Sequence, residues 1–230
     1  MLLFCKISYF RIIRNTLAIA YLLFYKIAMK IICIGRNYLP HIKELQNEVP
    51  GEPVIFMKPK TAIANLGFPI YYPKFTEELH YEAEVVIRIS KNGARITEGN
   101  ARNYFKEWTI GLDLTARDLQ TKLKKNGLPW EISKSFDNSA ILGDFVPVPF
   151  EKLHDTNFEL YQNEERVQIG NTKDMIFSIE KIIAYVSQFF TLQMGDLIFT
   201  GTPEGVGMVL PYDEFEGRLD GKTLLKVTIN

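Results

Sequence analysis

The sequence predicts a β-rich α+β domain with few helices. Two observations carry that prediction: short apolar runs recur between turn signals along most of the chain, and only one long stretch has helical spacing. The runs are Ile31 to Ile34, Val54 to Met57, Tyr81 to Ile89, Trp108 to Leu114, Phe158 to Tyr161, Leu197 to Thr200 and Thr223 to Ile229, each short enough to read as a strand. The long helix is expected over Ser178 to Thr191, with Ser178 as N-cap and Ile179, Ile182, Ile183, Val186, Phe189 and Phe190 on its apolar face. A shorter helix is expected over Ala116 to Lys125, stopped by Gly127 and Pro129. From residue 30 onward neither a repeat nor a Pro/Gly/Ser-rich linker interrupts the pattern, so one domain is expected over residues 29–230.

Composition narrows the function classes. The 230 residues are 47% hydrophobic and 23% charged, the range of an ordinary globular domain and not of a disordered or collagen-like chain. Lys plus Arg and Asp plus Glu both number 27, and a nucleic-acid binder would show a basic surplus, so no nucleic-acid partner is expected. Residues 1–28 hold Lys6, Arg11, Arg14 and Lys26 and no acid, which leaves 23 basic against 27 acidic residues in the remainder. Their longest uncharged run, Asn15 to Tyr25, is 11 residues, whereas a spanning helix needs roughly 20. The segment that follows lacks a small-x-small cleavage site. The expectation is an upstream extension outside the fold, without membrane contact, ahead of a start at Met29. Cys5 and Cys33 have no spacing that suggests zinc or a disulfide framework, and a cytoplasmic setting is the default expectation.

The segment Leu79-His-Tyr-Glu-Ala-Glu-Val-Val-Ile-Arg-Ile89 carries the chemistry. Period-2 alternation sends Tyr81, Ala83, Val85, Ile87 and Ile89 to one face and His80, Glu82, Glu84 and Arg88 to the other. Two carboxylates at i and i+2 repel each other in a half-buried setting unless a cation lies between them. Asp113, inside the apolar run Trp108 to Leu114, is a third acid that is costly to bury unpaired. Three oxygen donors on strands suit a hard divalent ion, Mg²⁺ or Mn²⁺ ahead of Ca²⁺. The spacing equally allows a solvated strand face paired to lysines, and it places His80 beside the acids either as a ligand or as a supporting residue. The Gly-rich stretch Gly201 to Gly207 follows an apolar strand but lacks the Gly-Lys-Ser/Thr ending of a phosphate loop.

Six segments stand out in order: Cys33-Ile-Gly-Arg-Asn-Tyr38, Phe56-Met-Lys-Pro59, His80-Tyr-Glu-Ala-Glu-Val85, Asp113-Leu-Thr-Ala-Arg-Asp118, Lys134-Ser-Phe-Asp137 and Thr200-Gly-Thr-Pro-Glu-Gly-Val-Gly207. Together they resemble the fumarylacetoacetate hydrolase family, in its short single-domain branch of acylpyruvate hydrolases and oxaloacetate decarboxylases. The resemblance implies a mixed β-roll like the fumarylacetoacetase C-terminal domain, a homodimer, and Mg²⁺ or Mn²⁺ held by Glu82, Glu84 and Asp113. It implies a water-activating pair in His41 and Glu44, which stand three apart and share a face on a helical turn. It also implies Lys134, Arg117, Gln120 and Thr202 as donors to the carboxylate and oxo groups of a small 2-oxo acid. Phe136 is expected either at the pocket wall or in the core.

The activity placed first on these grounds is metal-dependent hydrolysis of the carbon–carbon bond of acylpyruvates such as acetylpyruvate or fumarylpyruvate, releasing pyruvate. The alternative is an oxaloacetate decarboxylase or a tautomerase/isomerase of 2-oxo-enoic diacids. A noncatalytic metal-binding protein is the third reading, which has no use for His41, Glu44 and Lys134 together.

Overall fold

The computed structural model describes residues 29–44 and 48–230. The expectation for residues 1–28 lies outside them. Chain order runs from β1 (Ile31–Gly35) through α1 (Leu39–Glu44), β2 (Val54–Lys58), β3 (Leu79–Tyr81), β4 (Ala83–Ile89), β5 (Phe105–Asp113) and β6 (Thr115–Ala116) to α2 (Arg117–Lys125) and α3 (Glu131–Lys134). It continues with β7 (Ala140–Leu142), β8 (Val146–Pro147), β9 (Asn157–Gln162), β10 (Glu165–Asn171), α4 (Ile179–Phe189), β11 (Leu197–Phe199), β12 (Gly207–Met208), β13 (Glu214–Leu219) and β14 (Lys222–Thr228).

The strands form three sheets. The largest has the order β2-β1-β11-β4-β5-β7 with β8 also on β5; a four-stranded sheet runs β10-β9-β13-β14, and a small one β12-β3-β6. In the largest, β1 and β11 are parallel and the other pairs antiparallel. Both of its faces are covered. Ile32, Ile34, Val85, Ile87, Ile110, Leu112 and Ile198 point into the main core, while Ile31, Cys33, Val86, Leu197 and Phe199 form a second cluster on the opposite face. The period-2 reading of Tyr81 to Ile89 therefore holds for the apolar set, but the polar face is not solvated: Glu82, Glu84 and Val86 are buried, and His80 and Arg88 are only partly exposed.

The expected single strand over Tyr81 to Ile89 is two. The chain leaves the small sheet after Tyr81 and enters the large one at Ala83, so Glu82 sits at the junction between β3 and β4. The Ala83 N–H there is taken by Gln168 Oε1 at 2.9 Å, and the Glu82 carbonyl accepts from the Asp113 N–H at 2.9 Å. A backbone polar group buried at a sheet change needs such a partner.

The long helix α4 starts as predicted, with the Ser178 side chain accepting from the Lys181 N–H, and buries Ile179, Ile182, Ile183 and Val186. Phe189 does not join that face: it is exposed and packs edge-on to Tyr185 at 5.2 Å. Helix α2 ends at Lys125 and is followed by Gly127, whose φ of +62° is the left-handed conformation and whose N–H caps the Lys124 carbonyl. Strands β10 and β13 were not anticipated, since their charged alternate residues dilute the apolar signal.

Asn37 joins three segments. Its Nδ2 donates to the carbonyls of Phe177 at 3.1 Å and Thr200 at 2.7 Å, and its Oδ1 accepts from the Phe177 N–H at 2.8 Å, all in a fully buried position. Asn37→Ala should lower unfolding free energy by about 1–3 kcal/mol, the cost of leaving such groups unpaired. Denaturant titration checks it, and an unchanged midpoint would show that these bonds do not hold the loop in place.

Candidate metal centre

Three backbone facts bring three acids together. Glu82 stands at the sheet junction, Glu84 lies two residues into the large sheet, and Asp113 ends β5. The antiparallel register pairs Ala83 with Leu112, and Asp113 then lies beside Glu82. One carboxylate oxygen from each of the three lies within 4.8 Å of the others, and all three residues are buried. A solvated face paired to surface lysines is therefore excluded; His80 is not part of the group. His80 pairs across the small sheet with Thr115 and Met208, and its imidazole, pushed down by burial and by Arg117, keeps a buried Nδ1 without a hydrogen-bond partner.

So much buried negative charge requires compensation, and cations come from three elements. Lys134 Nζ, from α3, lies 2.7 Å from Glu82 Oε2, 2.8 Å from Asp113 Oδ2 and 2.6 Å from Thr115 Oγ1. Lys58 Nζ, from the end of β2, lies 2.8 Å from Asp113 Oδ1, too poorly aligned for a hydrogen bond but well placed as an ion pair. It donates to Ser139 Oγ at 2.9 Å and to the Lys134 carbonyl, which also fixes α3 in place. Arg117, opening α2, reaches Glu82 Oε1 at 2.5 Å through Nη2 and Gln120 Oε1 at 2.6 Å through Nη1.

The compensation is uneven. Burial opposes the charge of Glu82, but Lys134, Arg117 and His41 outweigh it and hold its carboxyl well below the usual range. Glu84 has one short bond, from the Gly201 N–H at 2.6 Å, and burial together with the Asp113 and Glu82 charges pushes its carboxyl well up. Lys134 is opposite in sense: burial disfavours its charge, yet Asp113 and Glu82 raise its pKa above the lysine value. The donor chemistry fits a hard divalent ion. Three carboxylates meet at one point, and the least compensated of them gains most from an added positive charge.

Gly201 is required there. With φ at +99°, an added Cβ would stand 2.7 Å from Asn37 Cβ, and the same turn aims its N–H at Glu84.

The acids open on a narrow cleft. Of the residues predicted from sequence, His41, Glu82, Glu84, Arg117, Gln120, Lys134 and Thr202 line it. Asp113 lies beneath, fully buried, and Glu44 lies behind His41. The imidazole Nδ1 is 3.0 Å from Glu44 Oε2, and Glu44 Oε1 accepts from the Gly205 N–H at 3.0 Å, so one carboxylate both orients His41 and ties α1 to the Gly-rich loop. Thr202 Oγ1 accepts from Gln168 Nε2 at 3.0 Å. Phe136 is not at the cleft; it packs edge-on to Phe75 at 5.3 Å.

Sequence reasoning missed Lys58, Thr115, Arg36 and Lys124. For Lys58 a signal existed: a lysine closing an apolar strand inside the segment Phe56-Met-Lys-Pro59 must find a buried partner.

Glu84→Gln keeps an acceptor for the Gly201 N–H and removes the charge. Stripped of divalent metal, this variant should melt higher than the parent at neutral pH. An unfolded glutamate titrates at about 4.3 and the folded Glu84 higher, so the parent loses stability as pH rises from the first value through the second. The difference in melting temperature should shrink on acidification. Mg²⁺ or Mn²⁺ should raise the melting temperature of the parent and far less that of the variant; equal gains would remove Glu84 from the ligand set.

The family model described as fumarylacetoacetate (FAA) hydrolase C-terminal matches residues 30–230. Among curated relatives, the mitochondrial oxaloacetate tautomerase FAHD1 of Mus musculus is 43% identical over 209 residues, covering 90% of this chain and 94% of the relative. The oxaloacetate tautomerase YcgM of Escherichia coli (strain K12) is 43% identical over 197 residues, covering 85% and 90%. Among solved structures, the fumarylpyruvate hydrolase of Pseudomonas aeruginosa in complex with Mn²⁺ and pyruvate superposes with a TM-score of 0.82 at 36% identity, covering 88% of this chain and 89% of that one. The β-roll, the buried Glu-Glu-Asp group and a match across the whole described domain make this chain a member of the fumarylacetoacetate hydrolase family.

Proposed function

We propose that the protein is a Mg²⁺- or Mn²⁺-dependent enzyme of small 2-oxo acids whose main activity is the keto–enol tautomerisation of oxaloacetate. The observation that carries this reading is the meeting of a buried three-carboxylate group, a fixed lysine cation and an oriented histidine around one small cleft. The curated relatives that share over two-fifths of its residues are named oxaloacetate tautomerases, which moves this alternative ahead of acylpyruvate hydrolysis.

A divalent ion held by Glu82, Glu84 and Asp113 would polarise a 2-oxo carboxylate and favour its enolate. The other roles belong to the protein. All three Nζ–H bonds of Lys134 point to acceptors, and its neighbours raise its pKa, so it serves as a permanent positive charge beside the developing oxyanion and not as a base. Arg117, braced by Gln120, presents its guanidinium to a substrate carboxylate. His41, with Nδ1 committed to Glu44, has Nε2 left to exchange a proton. In the enol-to-keto direction the C2 hydroxyl loses its proton and C3 gains one, so the net proton count is unchanged and His41 is the carrier at C3.

Acylpyruvate hydrolysis remains the second reading, favoured by the same His41/Glu44 pair and by the fumarylpyruvate hydrolase neighbour. There His41 takes a proton from water that attacks the distal carbonyl; the carbon–carbon bond breaks and the enolate of pyruvate leaves, to be protonated at C3. The cytoplasmic location and the homodimer also remain proposals; among the described residues, no helix is long and apolar enough to cross a membrane.

Enol absorbance of oxaloacetate, followed beside pyruvate release from acetylpyruvate and fumarylpyruvate, distinguishes the two. Metal-loaded protein should collapse the enol signal faster than it releases pyruvate, and EDTA should stop both; turnover that survives EDTA overturns the metal assignment. His41→Ala should retain metal and lose on the order of 10²-fold in rate. Full tautomerisation by that variant would remove His41 as the proton carrier.

A further inference from the structure

Four cationic side chains line the cleft, and only two of them have anionic partners. Arg117 and Lys134 are held by Glu82. Arg36 and Lys124 are not so engaged: among the described residues neither makes an ion pair with a carboxylate. Arg36 adopts a left-handed backbone, φ +59°, directly after β1, and its Nε is buried without a hydrogen-bond partner. A non-glycine residue in that conformation carries strain that the surrounding structure must sustain, and such strain concentrates at ligand clamps. Lys124 lies two turns along α2 from Arg117, on the same face as Arg117 and Gln120, with Nζ 5.1 Å from the Trp130 ring centroid.

We infer that Arg36 and Lys124, with Trp130 as the wall, form a subsite for the second, distal carboxylate of a short dicarboxylate 2-oxo acid. This rests on the reading of the cleft as a 2-oxo acid site and adds which acids it selects. Arg117 and Lys134 already answer Glu82, whereas Arg36 and Lys124 line the same cleft without a carboxylate among the described residues. A second carboxylate on the ligand gives them the partner that a monocarboxylate does not. Burial, Arg117 and Arg36 together push Lys124 down to about 8, and an anion placed between these groups relieves that crowding. A site with buried unpaired donors discriminates strongly against a ligand that lacks the matching group.

The test uses a stable pair of ligands that neither enolise nor decarboxylate: (S)-malate and (S)-lactate, identical at the chelating carboxylate and hydroxyl and differing in the distal carboxylate. Calorimetric titration of the Mg²⁺-loaded protein should show malate bound at least about tenfold more tightly than lactate, or 1.4 kcal/mol. Lys124→Met should erase most of that preference by weakening malate while lactate affinity stays the same. Lys124→Arg should retain it, and Arg36→Gln should weaken malate in the same direction. Melting curves establish that each variant is folded. Equal malate and lactate affinity in the parent, or parallel losses of both ligands in Lys124→Met, overturns the subsite. Absence of oxaloacetate tautomerisation alongside an intact malate preference would instead overturn the proposed reaction and leave the subsite standing.

Discussion

Three carboxylates buried within 4.8 Å of one another set the terms for the rest of this molecule. Charges removed from water are costly, and like charges at that separation raise the cost further. The fold answers with cations that are themselves buried. Lys134 and Lys58 lie on opposite sides of Asp113, Arg117 holds the outer oxygen of Glu82, and the Gly201 N–H meets Glu84. Each contact ties a different segment to the acids: α3, the end of β2, the start of α2 and the loop after β11. The charge cluster is therefore also a structural junction, and the same network that positions the chemistry holds together elements distant in sequence.

Its incompleteness matters as much as its extent. Glu82 is over-compensated and Glu84 under-compensated, so the cluster retains a demand for positive charge at the point where a divalent ion would be received. A fully neutralised cluster would be a stable salt-bridge knot with no reason to take up metal.

Around this fixed centre the remaining residues sort by distance from the acids. Lys134 and Arg117 touch them; His41 is bonded to Glu44, whose other oxygen engages Gly205, so the helix carrying His41 is anchored to the loop carrying Thr202. Arg36 and Lys124 line the same cleft with no carboxylate paired to either among the described residues. In the proposed reaction, metal ligation would set one part of the cleft and these two cations the choice among 2-oxo acids.

A good deal of this was legible in the residues themselves. Alternation along β4 assigned Ala83, Val85 and Ile87 to the core, the Ser178 cap and helical spacing located α4, and the i, i+2 glutamates with Asp113 pointed to a divalent site. These are local signals, expressed within a few residues of chain. The motif resemblance added His41, Glu44, Arg117, Gln120, Lys134 and Thr202, whose side chains gather at or directly behind the cleft. Other features needed the tertiary structure: that the strand breaks at Glu82, that Lys58 and Lys134 flank Asp113, and that Arg36 meets Lys124 across one cleft. The reason is physical. Hydrophobic periodicity records which way a side chain points, but the partner of a buried charge is decided by which distant segments the sheet order brings beside it, and no window of sequence contains both.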